Sequence, residues 1–241
     1  MIHPSAQSAY DIRFEWGSDG LAALVGASDA VVIVDVLSFS TSVDVAVGRG
    51  ANVLPFAETG DAARTFAARA GAVCAEARSL DCYSLSPASL ASVRPGERIV
   101  LPSPNGATLS LRTGNLPTFT ACLRNATAVA KAAARLGRRI AVIAAGERWP
   151  SGSLRPALED WLGAGAVLRA LDGRKSAEAE AACRAFDAAA PRLESVLLEC
   201  VSGQELVERG FAADVVIASK SAVSRCAPRL EQGAFIDDRD Q

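Results

Sequence analysis

The sequence predicts an α/β fold in which parallel strands, covered on both faces, are joined by crossover helices. Three observations carry this prediction. Short runs rich in Val, Ile and Ala alternate with longer amphipathic stretches, two of these runs are apolar almost throughout, and each leads into a polar segment. A strand buried on both faces has no solvent side to alternate with, so a continuous apolar run of this length is its signature.

Residues 10–16 alternate Ile12, Phe14 and Trp16 with Arg13 and Glu15, which predicts a half-exposed opening strand at a sheet edge. Residues 30–36 (AVVIVDV) are apolar apart from Asp35 and predict a strand buried on both faces that ends in one carboxylate. Helices are expected over 40–49 and 58–70, with β-like runs at 52–56 and 72–75. A strand at 98–101 leads to the turn SPNG at 103–106, then a helix at 107–112, a strand at 118–122 and a helix at 125–136. Residues 139–145 (RIAVIAA) predict the second deeply buried strand, followed by a polar loop at 146–153 and a helix at 154–171. Residues 176–200 are helical in composition and split by Pro191, and Ser202 with Glu205 forms a capping box for a short helix ending at Gly210. Closing strands are expected at 213–218 and 222–227.

Of the 241 residues, 50% are hydrophobic and 22% charged, enough for a buried core and unlike a disordered chain. Lys and Arg number 25 against 27 Asp and Glu, a net charge of -2, so no basic field points to nucleic acid or an anionic membrane. The expected partner is a small molecule. Residues 1–16 carry Asp11, Arg13 and Glu15 and lack the apolar core of a secretory signal, and no apolar run reaches a membrane span. A soluble, cytoplasmic protein forming one domain over 1–241 is expected. The six cysteines contain no CxxC pair and are expected to be reduced core fillers.

Three polar clusters fall where strands should end, the place where ligands bind in open α/β sheets. In DVLSFSTS (35–42), Asp35 leaves a buried strand while Ser38, Ser40, Thr41 and Ser42 open a helix. Such a turn suits a metal and an oxyanion, and it equally suits a capped helix with Asp35 bonded to backbone. In PSPNG (102–106), Asn105 and Gly106 either expose amides to an anion or form an ordinary turn. In the third cluster, Gly146, Glu147 and Arg148 follow a strand and Glu159 and Asp160 open the next helix. These charges fit phosphoryl transfer, which needs charge neutralisation and positioning, or they form a surface ion pair. His3 is the sole histidine, and the chain has no GxGxxG, no GxxxxGK[ST], no C-x5-R loop and no second Asp two residues after Asp35. These absences argue against histidine-based catalysis and weaken nucleotide-binding readings, and they exclude common phosphatase classes.

Six segments in order resemble the 2-phosphosulfolactate phosphatase (ComB) family: VVIVDVLSFSTS at 31–42, SPNGAT at 103–108, RNATAVA at 124–130, AAGER at 144–148, LEDWLGAGAV at 158–167 and SGQELVERGFAADV at 202–215. The resemblance implies an α/β/α layered fold with a largely parallel or mixed central sheet. It also implies a Mg²⁺-dependent phosphatase acting on a small phosphorylated 2-hydroxy acid, within coenzyme M biosynthesis. Carried over, it weights Asp35, Asn105, Gly106, Asn125, Gly146 and Asp160, and less directly Glu76 and Glu159. The expected roles are catalysis by Asp35, Asp160 and Arg148, metal binding by Asp35, Asp160 and Glu159, and substrate binding by Ser38, Ser40, Thr41, Asn105, Gly106, Asn125 and Gly146. Two positions depart from the family pattern. Ser38 stands where members usually carry Arg, so Arg148 or Arg124 would have to supply the cation, and Leu85 interrupts an Asn-Ser-Pro stretch. The Ser38 departure motivates an alternative, a non-catalytic small-anion-binding protein on the same fold. Further copies of the chain, in a homo-oligomer, are a second conceivable partner.

Overall fold

A computed structural model describes residues 4–238, so His3 lies outside the described residues. The two runs expected as buried strands are neighbours. β2 (Ala30–Val34) and β7 (Ile140–Ala144) pair in parallel from Ala30 opposite Ile140 to Val34 opposite Ala144. All ten residues are buried, and the pleat divides them between two layers. Val32, Val34, Val142 and Ala144 pack with α5 (Ala126–Ala134) and α6 (Leu158–Arg169). Val31, Ile33, Ala141 and Ile143 pack with Leu21 and Leu24 of α1 (Gly17–Val25) and Leu109 of α4 (Gly106–Ser110). This is the expected α/β/α layering.

β1 (Ile12–Trp16) extends the sheet beyond β7 as its edge, and β6 (Thr118–Ala121) lies parallel to β2 on the other side. The edge position agrees with the sequence reading, but the half-exposed face does not. Arg13 is fully buried, its guanidinium donating to the carbonyls of Ala27 (2.8 Å), Ala6 and Leu24 and to the Ser28 hydroxyl (2.8 Å). Carbonyls of Ala6 and of the end of α1 thus replace water around a charge.

A second parallel group comprises β3 (Asn52–Phe56), β5 (Arg98–Pro102) and the two-residue β4 (Val73–Cys74). Val53, Ile99 and Leu101 meet α2 (Phe39–Gly48), while Leu54 and Val100 meet α3 (Asp61–Ala70). The groups are joined by a hairpin of β10 (Pro228–Glu231) and β11 (Ala234–Asp237), antiparallel to β6 on one side and to β3 on the other. The nine-stranded order is β1-β7-β2-β6-β10-β11-β3-β5-β4, a mixed sheet with two parallel blocks.

The expected closing strands are corrected: residues 213–218 fall within α10 (Ala212–Ser219), and 222–227 carry no strand. A Val-Val-Ile run reads as β from propensity, but Val215 and Ala218 bury one helical face beside the preceding helices. Packing therefore overrides a propensity difference of less than about 1 kcal/mol per residue. The helical region before it divides into α7 (Ala177–Ala189), α8 (Leu193–Glu199) and α9 (Val201–Glu208), with Pro191 in a 3-10 turn after α7. Cys200, not Ser202, caps α9, its Sγ accepting from the Gly203 amide at 3.4 Å. The helix expected from residue 154 begins at Leu158, because β8 (Glu147–Arg148) and β9 (Leu154–Arg155) form a small ribbon and Pro156 holds Arg155 extended. Four cysteines are buried as expected; Cys82 is exposed and Cys74 half-buried.

Candidate active site

The chain leaves β2 at Asp35, and this carboxylate is held by the first amides of two helices. Oδ1 accepts from the Phe39 amide of α2 (3.2 Å) and Oδ2 from the Gly106 amide of α4 (2.8 Å). Only glycine fits at 106, since a Cβ there would lie 2.4 Å from Phe39 and 2.8 Å from Asp35 Oδ2. Burial pushes the Asp35 carboxyl up to about 6, the two amides oppose it, and the nearby Glu159 charge adds to the rise. The hydroxyls that follow serve the backbone. Ser40 Oγ accepts from the Asp35 amide (2.9 Å) and lies 2.6 Å from Thr120 Oγ1, and Thr41 Oγ1 donates to the Val36 carbonyl (2.7 Å).

At the neighbouring end of β7, the Gly146 amide donates to Asp160 Oδ2 (2.8 Å), and Asp160 Oδ1 accepts from the Val36 amide (2.7 Å). Asp160, in the first turn of α6, therefore ties the exits of β2 and β7 together. Burial, then the charges of Asp35 and Glu159, raise its carboxyl well above the usual range. Glu159 is also buried, and its Oε2 accepts from the Cys200 thiol at 3.4 Å. One residue past Gly146, Glu147 Oε2 accepts from Asn105 Nδ2 (3.0 Å). Its carboxyl is pushed up to about 7, first by burial and then by the charges of Asp35 and Glu159.

These strand exits open on a cleft of about 510 Å³, lined by Asp35, Ser38, Asn105 and Glu147 and, among the cations, by Arg78 and Arg209. Arg78 donates to Ser38 Oγ (2.9 Å) and to Asp214 Oδ2 (2.5 Å). A guanidinium thus stands at Ser38 after all, from a loop 40 residues further along. Glu76, at the cleft, pairs with Arg64 at 3.1 Å.

The expected residues separate accordingly. Asp35, Ser38 and Asn105 share the cleft, while the amides of Gly106 and Gly146 are spent on Asp35 and Asp160. Asp160, Glu159, Ser40 and Thr41 stand behind its wall. Arg148 is exposed in an adjoining hollow of about 450 Å³, donating to the Gly152 carbonyl (2.9 Å). Arg124 is committed to Asp44 (2.8 Å), and the buried Asn125 side chain accepts from the Cys122 amide (2.8 Å); neither lines the cleft. Sequence reasoning missed Arg78 and Arg209. Glu147 was within its reach, as a carboxylate just past a buried strand, whereas nothing local marks Arg78.

An α/β sheet whose strand exits place acidic and cationic side chains around one small cleft has the architecture of a small-molecule enzyme. Residues 21–233 match the model of the 2-phosphosulpholactate phosphatase family, and the chain belongs to that family. The chain is 28% identical over 210 residues to the 2-phosphosulfolactate phosphatase of Methanothermobacter thermautotrophicus (strain Delta H), covering 86% of this chain and 88% of that protein. Its class is accordingly phosphoric monoester hydrolase. Among the described residues, no helix is long and apolar enough to cross a membrane.

Proposed function

We propose that the protein hydrolyses the phosphate ester of a small 2-hydroxy acid of the 2-phosphosulfolactate type, with Mg²⁺ as cofactor, releasing the hydroxy acid and inorganic phosphate. One observation carries the reading: in a chain of this family, Asp35, Glu147 and the Arg78 guanidinium line a single cleft of about 510 Å³. That volume suits a small ligand.

The acidic wall fits a hard cation. Among the described residues neither Asp35 nor Glu147 has an ion-pair partner, and no three acidic, Cys or His side chains converge into an all-protein metal cage. Mg²⁺ suits such a site, because one or two carboxylates hold it while water and phosphate oxygens complete its shell. Asp35 would hold it from the cleft wall, with the buried Glu159 behind. When bound, Mg²⁺ neutralises charge on the phosphoryl oxygens.

Glu147 is the proton donor to the leaving hydroxyl oxygen. Burial and the charges of Asp35 and Glu159 push its carboxyl up to about 7, the direction a general acid needs. Asn105 fixes one of its oxygens and leaves the other to carry the proton. Asp160 positions both carboxylates by clamping the strand exits from which they project.

Purified protein with Mg²⁺ should release inorganic phosphate from 2-phosphosulfolactate, and EDTA should stop it. Asp35→Asn should lower kcat by about 100-fold or more, in line with the several kcal/mol a metal contributes. Full activity of that variant, or hydrolysis indifferent to EDTA, would sink the reading.

A further inference from the structure

The geometry points to Arg78 as the phosphoryl receptor of this cleft, a guanidinium held in position by Asp214 and Ser38; the inference rests on the phosphatase reading above. Arg78 belongs to the long connection between β4 and β5, where an arginine would ordinarily sweep through solvent. Here its side chain is 7% exposed and that of Asp214 is fully buried. Nη1 donates to Asp214 Oδ2 (2.5 Å), Nη2 donates to Ser38 Oγ (2.9 Å), and the guanidinium carbon lies 5.5 Å from the centre of the Phe211 ring. Asp214, on α10, is itself fixed: its Oδ1 accepts from Ser86 Oγ (2.6 Å) and from the Ala88 amide (3.3 Å). Three parts of the chain therefore fix one side chain.

Such a pair adds little to stability by itself. Burial presses the Arg78 charge towards loss and Asp214 opposes this, and a buried ion pair commonly does no better than an apolar replacement. What it gains is a charge in a fixed place. A guanidinium has five N–H donors; Asp214 and Ser38 use two, and a side chain that lines the cleft keeps others with which to meet an anion. Of the other arginines lining the cleft, Arg64 is committed to Asp61 and Glu76, and Arg209 is exposed. Arg78 is the preorganised cation. Asp214 acts through it and is a positioning residue.

The test measures binding of inorganic phosphate by calorimetry alongside hydrolysis of 2-phosphosulfolactate. Arg78→Ala should weaken phosphate binding and raise KM by about 10–100-fold, the worth of charge-assisted hydrogen bonds, and added guanidinium should restore part of the loss. Asp214→Asn should move both in the same direction by about 5-fold, through loosened placement of the fork. A purely structural role would lower thermal stability and leave phosphate affinity and guanidinium rescue unmoved, overturning the inference. Should Arg78→Ala not fold, Arg78→Lys keeps the charge and loses the fork, and phosphate affinity equal to wild type in that variant would also overturn it. Wild-type protein that binds phosphate through Arg78 yet releases none from the ester would remove the phosphatase reading and support the receptor. Wild-type hydrolysis with KM unaffected by Arg78→Ala would do the reverse.

Discussion

Raising the pH from 5 to 8 in the presence of EDTA should destabilise the fold, and the structure sets the size of the effect. Glu147 moves from 4.5 in the unfolded chain to about 7, and Asp35 from 3.8 to about 6. Both carboxyls hold protons more tightly when folded, so their contribution is fully present below about pH 4 and is lost as pH rises through 6 and 7. Glu147 alone is worth about 3 kcal/mol. Its rise already includes the Asp35 charge, so the pair together is worth about 4 kcal/mol. Glu97, held down to about 2 by the Arg94 amide and guanidinium and the Tyr83 hydroxyl, acts with opposite sign, but only below its unfolded value of 4.5. Urea unfolding followed by circular dichroism should therefore show a midpoint about 1.5 M lower at pH 8 than at pH 5, for a slope of about 2–3 kcal/mol per molar. Glu147→Gln should flatten part of this dependence, Asp35 and Asp160 keeping the rest, and be more stable than wild type at pH 8. Stability that is constant or rises between pH 5 and 7 would show that these carboxyls are not displaced as described.

Mg²⁺ at about 100 times its Kd should raise unfolding stability at pH 8 by about 2.7 kcal/mol and much less at pH 5, where the carboxyls are protonated; equal thermal shifts at both pH values would place the ion elsewhere. Gly106→Ala forces a Cβ between Phe39 and Asp35 and should cost about 3 kcal/mol from overpacking and a weakened amide bond to the carboxylate, read by urea unfolding. Asp160→Ala strips the buried Val36 and Gly146 amides of their acceptor and should cost about 3 kcal/mol, with phosphate release falling although Asp160 does not line the cleft.

The sequence made β2 and β7 legible because a strand covered on both faces must be apolar at every position, and theirs are. It located Asp35 at a strand exit by the same reasoning. It could not distinguish a hydroxyl that meets ligand from one that meets the protein: Ser40 and Thr41 follow Asp35 closely in sequence, yet Ser40 meets Thr120 and Thr41 the Val36 carbonyl. Arg78 was invisible, since it lies outside the six resembling segments and its partner Asp214, inside the last of them, is 136 residues away. The closing hairpin had a signal that went unread. Gln232 and Gly233 both adopt positive φ (48° and 83°), the tight reversal usually marked by Asn-Gly, and Gln in the first place disguised it.

Residues 228–237 follow every other strand in the chain, and the sheet is continuous only through them. During synthesis the flanks of β6 and β3 must wait, unpaired, until this segment has left the ribosome. A nascent chain halted after residue 227 would own two open flanks with free backbone donors and acceptors, templates for sticking to a neighbour. The last ten residues of the sheet thus serve as its zip, and degradation of interrupted products would spare the cell their aggregates.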